Sequence, residues 1–315
     1  MDLDSLRLYV DLAETGSFSK TADRCYMSQS AVSQRIRTLE SEFGQILVER
    51  GKGRPGAQFT EAGKLLLEGA REIVARADSL KREIAELGET VGGSLRVATV
   101  YSIGLHALTP ALQRFLRDFP QVNLHLEYLR TDRIYEALNS GAIDCGIVAL
   151  PRERPHIEII SLGEENMTLI LPPGHPLTGG ASVSVTDLDG LPFIAFDPDI
   201  PTRALIDGLL KNHNVSVDVM QAYDNIETIK QVVEIGLGVS IVPEPTVRRE
   251  IRDGLIITRP FTDLVLTRPT GILIRRGRTR SRALRQFLRV LTRPGALAFG
   301  VPPCPTGPEP GVAGA

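Results

Sequence analysis

Apolar residues at helical spacing dominate the first ninety positions of the chain. Leu3, Leu6, Tyr9, Val10 and Ala13 fall on one face of a predicted first helix, and two further helical patterns follow it. The first and third patterns each end at a glycine, the residue type that most easily adopts the left-handed conformation at a helix end. The spacing therefore predicts three helices before residue 45.

Serine side chains are placed to begin the second and third helices. Ser17 or Ser19 precedes the second pattern, and Ser28 precedes the third, whose apolar face continues to Gly44. The two helices are separated by a tight turn at residues 26–27. Two helices joined in this way form a helix-turn-helix, a unit that often carries a DNA-contacting second helix.

A hairpin and a long helix are predicted next. Apolar residues at 46–48 and 59 flank a basic, glycine-rich segment, which is typical of two short strands joined by a flexible tip. A helical pattern then runs from residue 60 to about 87, with a heptad series at Leu66, Ile73, Leu80 and Leu87. Heptad spacing predicts pairing with a second copy of the helix. A surface helix of the same domain is the alternative.

Beyond Gly93 the pattern changes to alternating strands and helices. Five segments between residues 95 and 148 follow the order β-α-β-α-β, which predicts a parallel sheet covered by helices. A strand at 167–171 and a second alternating block, ending in a helix at 281–291, complete the series. We expect an α/β fold of two lobes with a cleft between them.

Length and composition narrow the class of protein. The chain has 315 residues, enough for about two domains. Its 36 Lys and Arg and 38 Asp and Glu give a net charge of −2, so any nucleic-acid partner must be held by a local patch. Cys25, Cys145 and Cys304 are far apart, and neither they nor the histidines have the spacing of a metal site. No metal or cofactor is predicted.

Targeting and catalytic signals are also missing from the sequence. The start of the chain lacks the features of a signal peptide, and the longest uncharged run, 166–186, is interrupted by prolines and glycines. A soluble cytoplasmic protein without a membrane partner is therefore expected. The Gly236–Gly238 segment lacks the third glycine of a dinucleotide fingerprint, and no nucleophile-elbow or Walker A motif occurs. We do not expect an enzyme.

A local excess of positive charge marks a candidate DNA-binding surface. Between Lys20 and Thr60 seven basic residues face four acidic ones, and the predicted third helix begins with hydroxyl, amide and guanidinium side chains. These groups bond base edges and phosphates, although a merely solvated helix face would have the same composition. The residues assigned to DNA contact are Ser28, Gln29, Ser30, Ser33, Gln34, Arg35, Arg37, Arg50 and Arg54.

The same segments resemble a known family. The stretches 16–22, 28–40, 43–44, 47–50 and 60–63 look like the N-terminal signature of LysR-type transcriptional regulators, and 141–146, 171–177 and 236–243 are more weakly similar to that family's effector domain. Two departures are Ser30, where the family often has proline, and Val48, where it often has phenylalanine. Serine suits the first turn of a helix equally well.

The resemblance implies a fold and a function. The implied fold is a winged helix-turn-helix with a dimerising linker helix and a two-lobed α/β effector domain resembling type 2 periplasmic binding proteins. The implied function is a transcriptional regulator that binds an interrupted inverted repeat in double-stranded DNA as a homodimer or homotetramer and responds to a small-molecule effector. The expected ranges are 1–60 for the DNA-binding domain, 61–90 for the linker helix, 91–293 for the effector domain and 294–315 for a disordered tail.

Candidate effector contacts follow from the predicted lobes, since strand ends and helix N-termini converge at such a cleft. The candidates are Thr99, Ser102, Thr131, Thr202, Arg203 and Asn225, each of which could instead be only a helix cap. Arg203 would suit an anionic effector. The alternative function is a cytoplasmic small-molecule-binding protein or enzyme whose first ninety residues serve only for dimerisation.

Overall fold

A computed structural model describes residues 1–49, 56–85, 91–277, 279–297 and 299. These residues form two compact units, one of residues 1–93 with the short segment 139–143 and one of the remainder. Arg50, Arg54, Leu87 and most of the predicted tail lie outside the described residues. Among the helices of the described ranges, none is both long and apolar enough to cross a membrane.

The N-terminal unit begins with three helices, α1 (Leu3–Thr15), α2 (Phe18–Arg24) and α3 (Gln29–Phe43). Ser17 caps α2 and Ser28 caps α3, where its hydroxyl accepts a hydrogen bond from the Ala31 amide at 3.2 Å. Gly16 and Gly44 end α1 and α3 with φ near +63° and +62°, as predicted for left-handed helix ends. The helix-turn-helix is thus present with the predicted caps.

The wing, residues 45–59, pairs β1 (Val48–Glu49) antiparallel with β2 (Gln58–Phe59) and leads into α4 (Glu61–Ala85). The Thr60 hydroxyl accepts from the Gly63 amide at 3.0 Å and donates to the Ile46 carbonyl at 2.7 Å, joining helix and wing. Gly63 allows this approach, because a Cβ there would lie 2.1 Å from the Leu47 carbonyl oxygen. A glycine is therefore required by the packing.

Helix α4 exposes an apolar stripe. Ile73, Leu80 and Ile84 are 45, 48 and 59% exposed, so about half of each apolar side chain remains open to solvent. Leu66, the first residue of the predicted seam, is half-buried and also packs against the core of its own N-terminal unit. The fourth seam residue, Leu87, is outside the described ranges. The described part of the heptad series is therefore partly core and partly exposed.

Lobe I of the second unit is built on β3 (Gly93–Thr99), β4 (Val122–Tyr128), β5 (Cys145–Ala149) and β11 (Thr267–Arg275), with the first part of β6 (Ile157–Leu171). Its strand order is β4-β3-β5-β11-β6, with helices α5 (Thr109–Asp118), α6 (Thr131–Ser140) and α10 (Arg282–Leu291). β3 and β5 are parallel, but β11 is antiparallel to both of its neighbours. The parallel pairing predicted from the β-α-β-α-β order is present between β3 and β5, but the sheet as a whole is mixed because the late strand β11 inserts into it in the antiparallel direction.

Lobe II uses the second part of β6 with β7 (Pro192–Phe196), β8 (Asp218–Tyr223), β9 (Ser240–Pro243) and β10 (Ile257–Arg259). β9 and β10 flank β6, and β7 pairs in parallel with β8. The helices are α7 (Pro201–Asn212), α8 (Ile226–Glu234) and the short α9 (Arg248–Arg252). The strand predicted at 167–171 is the end of the longer β6, which is shared by the two lobes.

Candidate DNA-binding surface and effector cleft

Helix α3 has one buried and one exposed face. Val32, Ile36 and Leu39 are at most 1% exposed and lie in the core of the N-terminal unit. Residues about half a turn away point to solvent. Ser30, Gln34 and Arg37 are therefore exposed side chains on the face opposite the core. A helix that enters a DNA groove needs a polar face that does not pack against its own domain.

The other predicted DNA contacts occupy different positions. Gln29 is exposed at the start of α3, where its side-chain carbonyl accepts from the Ser19 hydroxyl at 3.3 Å. Ser33 and Arg35 are half-buried at the sides of the helix. The Ser28 hydroxyl is used by the cap and lies 2.9 Å from the Ser30 hydroxyl. Arg50 and Arg54 belong to the part of the wing that is not described.

Two features near this surface escaped the sequence analysis. The Glu40 carboxylate accepts hydrogen bonds from the Leu47 and Val48 amides at 3.0 and 3.2 Å, so α3 holds the wing directly. Tyr26, in the turn before α3, is 98% exposed with φ +53°. A positive φ is unusual for a bulky residue. Neither feature has a periodicity signal, since one is a tertiary contact and the other a turn residue.

A cavity lies between the two lobes of the second unit. Its lining comes from the ends of strands and starts of helices in both lobes, together with β11: Val100, Tyr101, Ser102, Leu129, Arg130, Thr131, Ala149, Phe196, Ile200, Pro201, Thr202, Asp224, Ile226 and Arg268. Its volume is about 50 Å³. We call this cavity the cleft. Three predicted effector residues, Ser102, Thr131 and Thr202, share it.

The remaining three predicted effector residues do not line the cleft. Thr99 is fully buried in β3, and Asn225 caps α8 by accepting from the Glu227 amide at 2.9 Å. Arg203 turns its guanidinium to Asp207, at 2.8 Å, and to the Phe196 carbonyl, at 2.8 Å. Thr99 is thus closed off by burial, whereas Arg203 and Asn225 hydrogen-bond within their own segments.

One residue of the cleft lining, Arg268, belongs to a buried ion pair. Arg268 on β11 and Glu165 on β6 are directly opposite in the sheet and are 2 and 0% exposed. The Arg268 Nε donates to Glu165 Oε2 at 2.7 Å, while Nη2 and Nη1 donate to the hydroxyls of Ser102 and Thr202 at 2.8 and 3.0 Å. The guanidinium therefore joins a residue of each lobe.

The pair was not predicted from the sequence, because a charged side chain is usually on the surface. Arg268 and Ser102 are also 166 positions apart in the chain, so no local pattern links them. The only hint is that Arg268 and Glu165 belong to segments that also contain strand-forming residues. A buried charge without a partner would be costly, so the two residues must be considered together.

A second arginine is held by carboxylates at the cleft. Arg130 forms an ion pair with Asp199, and its guanidinium lies 3.8 Å from Asp224 and 4.0 Å from Asp132. The hydrogen bond from Arg130 lowers the pKa of Asp199, and the same bond raises the pKa of Arg130. The positive charge at this end of the cleft is therefore already balanced by the chain itself.

The two described cysteines have weakly reactive environments. Burial raises the pKa of the Cys145 thiol in β5. Burial also raises the pKa of Cys25, and its Sγ donates to Asp11 at 3.5 Å. A thiol that attacks or is readily oxidised needs a lowered pKa. Among the described residues no group of three His, Cys, Asp or Glu side chains is arranged to hold a metal.

Two family profiles match the chain in sequence. The profile "Bacterial regulatory helix-turn-helix protein, lysR family" matches residues 3–64, and the profile "LysR substrate binding domain" matches residues 88–294. The first range contains the helix-turn-helix and wing, and the second contains both lobes of the cleft. A helix-turn-helix followed by a substrate-binding α/β domain defines a ligand-responsive DNA-binding regulator.

Relatives agree with this class. The chain is 31% identical over 306 residues, 94% of its own length and 88% of the relative's, to a "Probable RuBisCO transcriptional regulator" of Synechocystis sp.. It is 30% identical over 81% of its length to a "Hydrogen peroxide-inducible genes activator" of Pectobacterium carotovorum, 84% of which is covered. The chain belongs to the LysR family of DNA-binding transcriptional regulators, and these relatives are regulators rather than enzymes.

Solved structures show the same architecture. A full-length OxyR variant from Pseudomonas aeruginosa matches with a TM-score of 0.74 at 26% identity, covering 98% of this chain and 99% of that one. Full-length CbnR bound to its target DNA matches with a TM-score of 0.69 at 24% identity, covering 92 and 98%. The second likeness concerns the fold alone.

Proposed function

We propose that the protein binds an interrupted inverted repeat as a homodimer or larger homo-oligomer and that a small molecule in the cleft changes its regulatory output. The observation that carries the proposal is the Arg268 guanidinium, which bonds a hydroxyl of each lobe at the wall of the cleft. A ligand there contacts both lobes at once. The proposed domain ranges remain 1–60, 61–90, 91–293 and 294–315.

On DNA, Gln29, Ser33 and Gln34 are proposed to contact base edges, whereas Arg37 and the wing arginines hold phosphates or the minor groove. The exposed position of Gln34 on the outer face of α3 supports this division. Gln34→Ala should cost about 1–3 kcal/mol of binding free energy on the cognate site and relax sequence specificity. Arg37→Ala should weaken binding to all sequences and reduce the slope of log K against log salt concentration by about one.

The experiment selects bound duplexes from a random library and then compares both variants on cognate and scrambled DNA at several salt concentrations. If Gln34→Ala prefers cognate over scrambled DNA as strongly as the wild type does, the assignment of base contacts is refuted. Equal loss on all sequences by Arg37→Ala is the matched control, since that variant changes the same helix face without removing a base-reading group.

Assembly is proposed to use the exposed stripe of α4. Ile73 and Leu80 present apolar surface that a second copy can cover, and isologous pairing matches an inverted repeat. Replacing both by Asp should give a smaller species in sedimentation and lower operator affinity. Glu68→Lys on the opposite face of α4 is the control and should leave the oligomer unchanged. The proposal fails if the double variant sediments as the wild type does.

The effector is proposed to be a small molecule with one anionic group and an apolar body. Ser102 and Thr202 accept hydrogen bonds from Arg268, so their own O–H groups stay free to donate. Thr131 adds a third hydroxyl, and the rest of the lining is largely apolar. Three hydroxyl donors suit an oxyanion. Because Arg130 is already paired with carboxylates, the anionic group is expected beside the three hydroxyls rather than beside Arg130.

The cleft as it stands accommodates only a few water molecules, because one water needs about 10–15 Å³ of such volume. A larger effector therefore has to part the lobes, which gives binding a direct effect on their arrangement. We propose that this movement carries the signal.

A thermal-shift screen of small carboxylates tests the effector proposal. Loss of one hydrogen bond to a charged ligand costs about 1.5–3 kcal/mol, so Thr131→Val should weaken the response about ten- to a hundredfold. Effector-free DNA binding should hardly change. A variant that loses both would indicate a folding role for Thr131. Thr178→Val, at a hydroxyl outside the cleft, is the control for threonine replacement as such.

One relative is named for induction by hydrogen peroxide, but the thiol of the effector domain does not favour peroxide sensing in this chain. A peroxide sensed by cysteine oxidation needs a thiol of lowered pKa. Cys145, the one cysteine between residues 91 and 293, is fully buried and its pKa is raised. We therefore propose recognition of a small molecule by hydrogen bonds rather than oxidation of a thiol in this domain.

A further inference from the structure

A second cavity lies in lobe I, at the start of β6 and the end of β11. Its volume is about 420 Å³, larger than that of the cleft, and none of its lining residues belongs to the cleft. Two arginines from segments more than a hundred positions apart, Arg154 and Arg276, line it together with His156. We call it the arginine cavity.

Arg154 is held in place by an aromatic ring. Its guanidinium carbon lies 4.3 Å from the centre of the Tyr135 ring, and Tyr135 is only 1% exposed. The Tyr135 hydroxyl donates to the Arg152 carbonyl at 2.9 Å and accepts from the Arg152 amide at 2.7 Å. The segment that carries Arg154 is therefore anchored, and less freedom remains to be lost when a ligand binds.

Arg276 is fixed through a nitrogen that leaves its other donors available. Its Nε donates to the Ile157 carbonyl at 3.0 Å, and its backbone amide donates to the His156 carbonyl at 2.7 Å. His156 has φ +63°, a conformation that costs energy for a residue with a side chain. The backbone hydrogen bond thus holds His156 at the edge of the arginine cavity.

Neither guanidinium is neutralised within the part of the chain that the structure describes. Nearby Arg280 pairs with Glu158 at 2.7 Å and Arg268 pairs with Glu165, but Arg154 and Arg276 have no carboxylate within 4 Å there. Glu153 is the acidic residue of the lining. Residues 275–293 also contain eight arginines and no acidic residue, in a chain of net charge −2.

We propose that the arginine cavity binds a small molecule bearing a phosphate or pyrophosphate group, independently of the cleft. Guanidinium groups match the planar, bidentate geometry of phosphate oxygens, and two solvent-exposed ones, Arg154 and Arg276, line the same open depression. A concave site with fixed donors selects a compact anion, whereas a nucleic-acid backbone is tracked by charges along an open surface.

Titration calorimetry with pyrophosphate tests the proposal on the full chain at constant ionic strength. The wild type should bind one pyrophosphate per chain. Arg154→Gln and Arg276→Gln should each weaken binding at least about tenfold, as expected for loss of charge-assisted hydrogen bonds. Arg289→Gln removes the same charge from the exposed face of α10, outside the cavity, and should change affinity less than about twofold.

The other outcomes would overturn the proposal. Equal weakening by all three variants would indicate a diffuse positive field rather than a site. No binding by the wild type would exclude the site, and loss of non-operator DNA binding in Arg154→Gln without any pyrophosphate binding would assign the surface to nucleic acid. Thermal unfolding of each variant verifies that a loss of binding is not a loss of fold, and inorganic phosphate as a second probe separates a mono- from a diphosphate site.

Discussion

Replacing Glu165 by glutamine should destabilise the effector domain strongly. The substitution keeps the size of the side chain but removes the charge that faces Arg268. Both residues are almost fully buried, and the Arg268 guanidinium would then face two neutral hydroxyls and one amide. The variant isolates the electrostatic part of the ion pair, because the amide oxygen can still accept one hydrogen bond.

The magnitude follows from burial. Removal of one partner of a buried ion pair costs about 3–5 kcal/mol, because the other charge remains unpaired in a poorly solvated site. For a domain of about 200 residues this corresponds to a fall in melting temperature of roughly 6–20 °C. Replacing both partners by apolar residues, as in Glu165→Leu with Arg268→Met, should restore most of this loss.

The matched control lies on the same strand. Glu158 pairs with Arg280, but the two side chains are 38 and 39% exposed. Solvent screens such a pair, so Glu158→Gln should cost at most about 1 kcal/mol. The chain contains no tryptophan, so urea unfolding of the full protein is followed by circular dichroism.

Equal costs for Glu165→Gln and Glu158→Gln would refute the reasoning, since burial is the one large difference between the two pairs. A double variant that is no more stable than Glu165→Gln would also refute it. In that case the cost would come from packing or from the lost hydrogen bonds to the hydroxyls rather than from an unpaired charge.

Three further predictions concern other elements. Gly63→Ala should destabilise the N-terminal unit by about 1–3 kcal/mol and weaken DNA binding, because the new Cβ would overlap a wing carbonyl; unchanged unfolding would contradict this. Glu40→Ala should remove the acceptor of two wing amides, at about 1–3 kcal/mol, whereas Glu40→Gln should keep most stability in the same unfolding assay. Burial acts to raise the pKa of Glu227, but hydrogen bonds with His106 and Lys230 lower it overall, so the stabilising effect of its charge is present above the ordinary pKa of a glutamate and is lost as the pH falls through the lowered pKa. Glu227→Gln should flatten that acid part of the stability curve, and an unchanged acid limb would count against it.

The sequence predicted the N-terminal unit well because its signals are local. Helix spacing, serine caps and the two glycines at helix ends each depend on neighbours within a few positions, and the structure contains them as predicted. The mixed sheet was not predictable in this way. β11 pairs with β5 and β6 at separations of more than a hundred residues, and its insertion between them has no local pattern.

The cleft was predicted in part. Ser102, Thr131 and Thr202 follow the general rule that strand ends and helix starts meet at a cleft between α/β lobes. Arg203 and Asn225 begin helices as well, but their side chains bond within their own segments. Arg268 and Glu165 could not be predicted from that rule, because this pair lies inside two neighbouring strands rather than at a strand end or a helix start.

The shared strand β6 makes lobe II a single continuous insertion. Asn166 on β6 stands directly opposite Thr267 on β11, so the chain leaves and re-enters lobe I at adjacent positions. Residues 167–266 can therefore be treated as one inserted segment. A two-residue Asn-Gly turn in its place would join β6 to β11 as an ordinary hairpin. Replacing lobe II by that of a relative would need only two chain junctions, one after Asn166 and one before Thr267. Such a replacement would exchange the lobe II half of the cleft but keep Arg268 and Glu165.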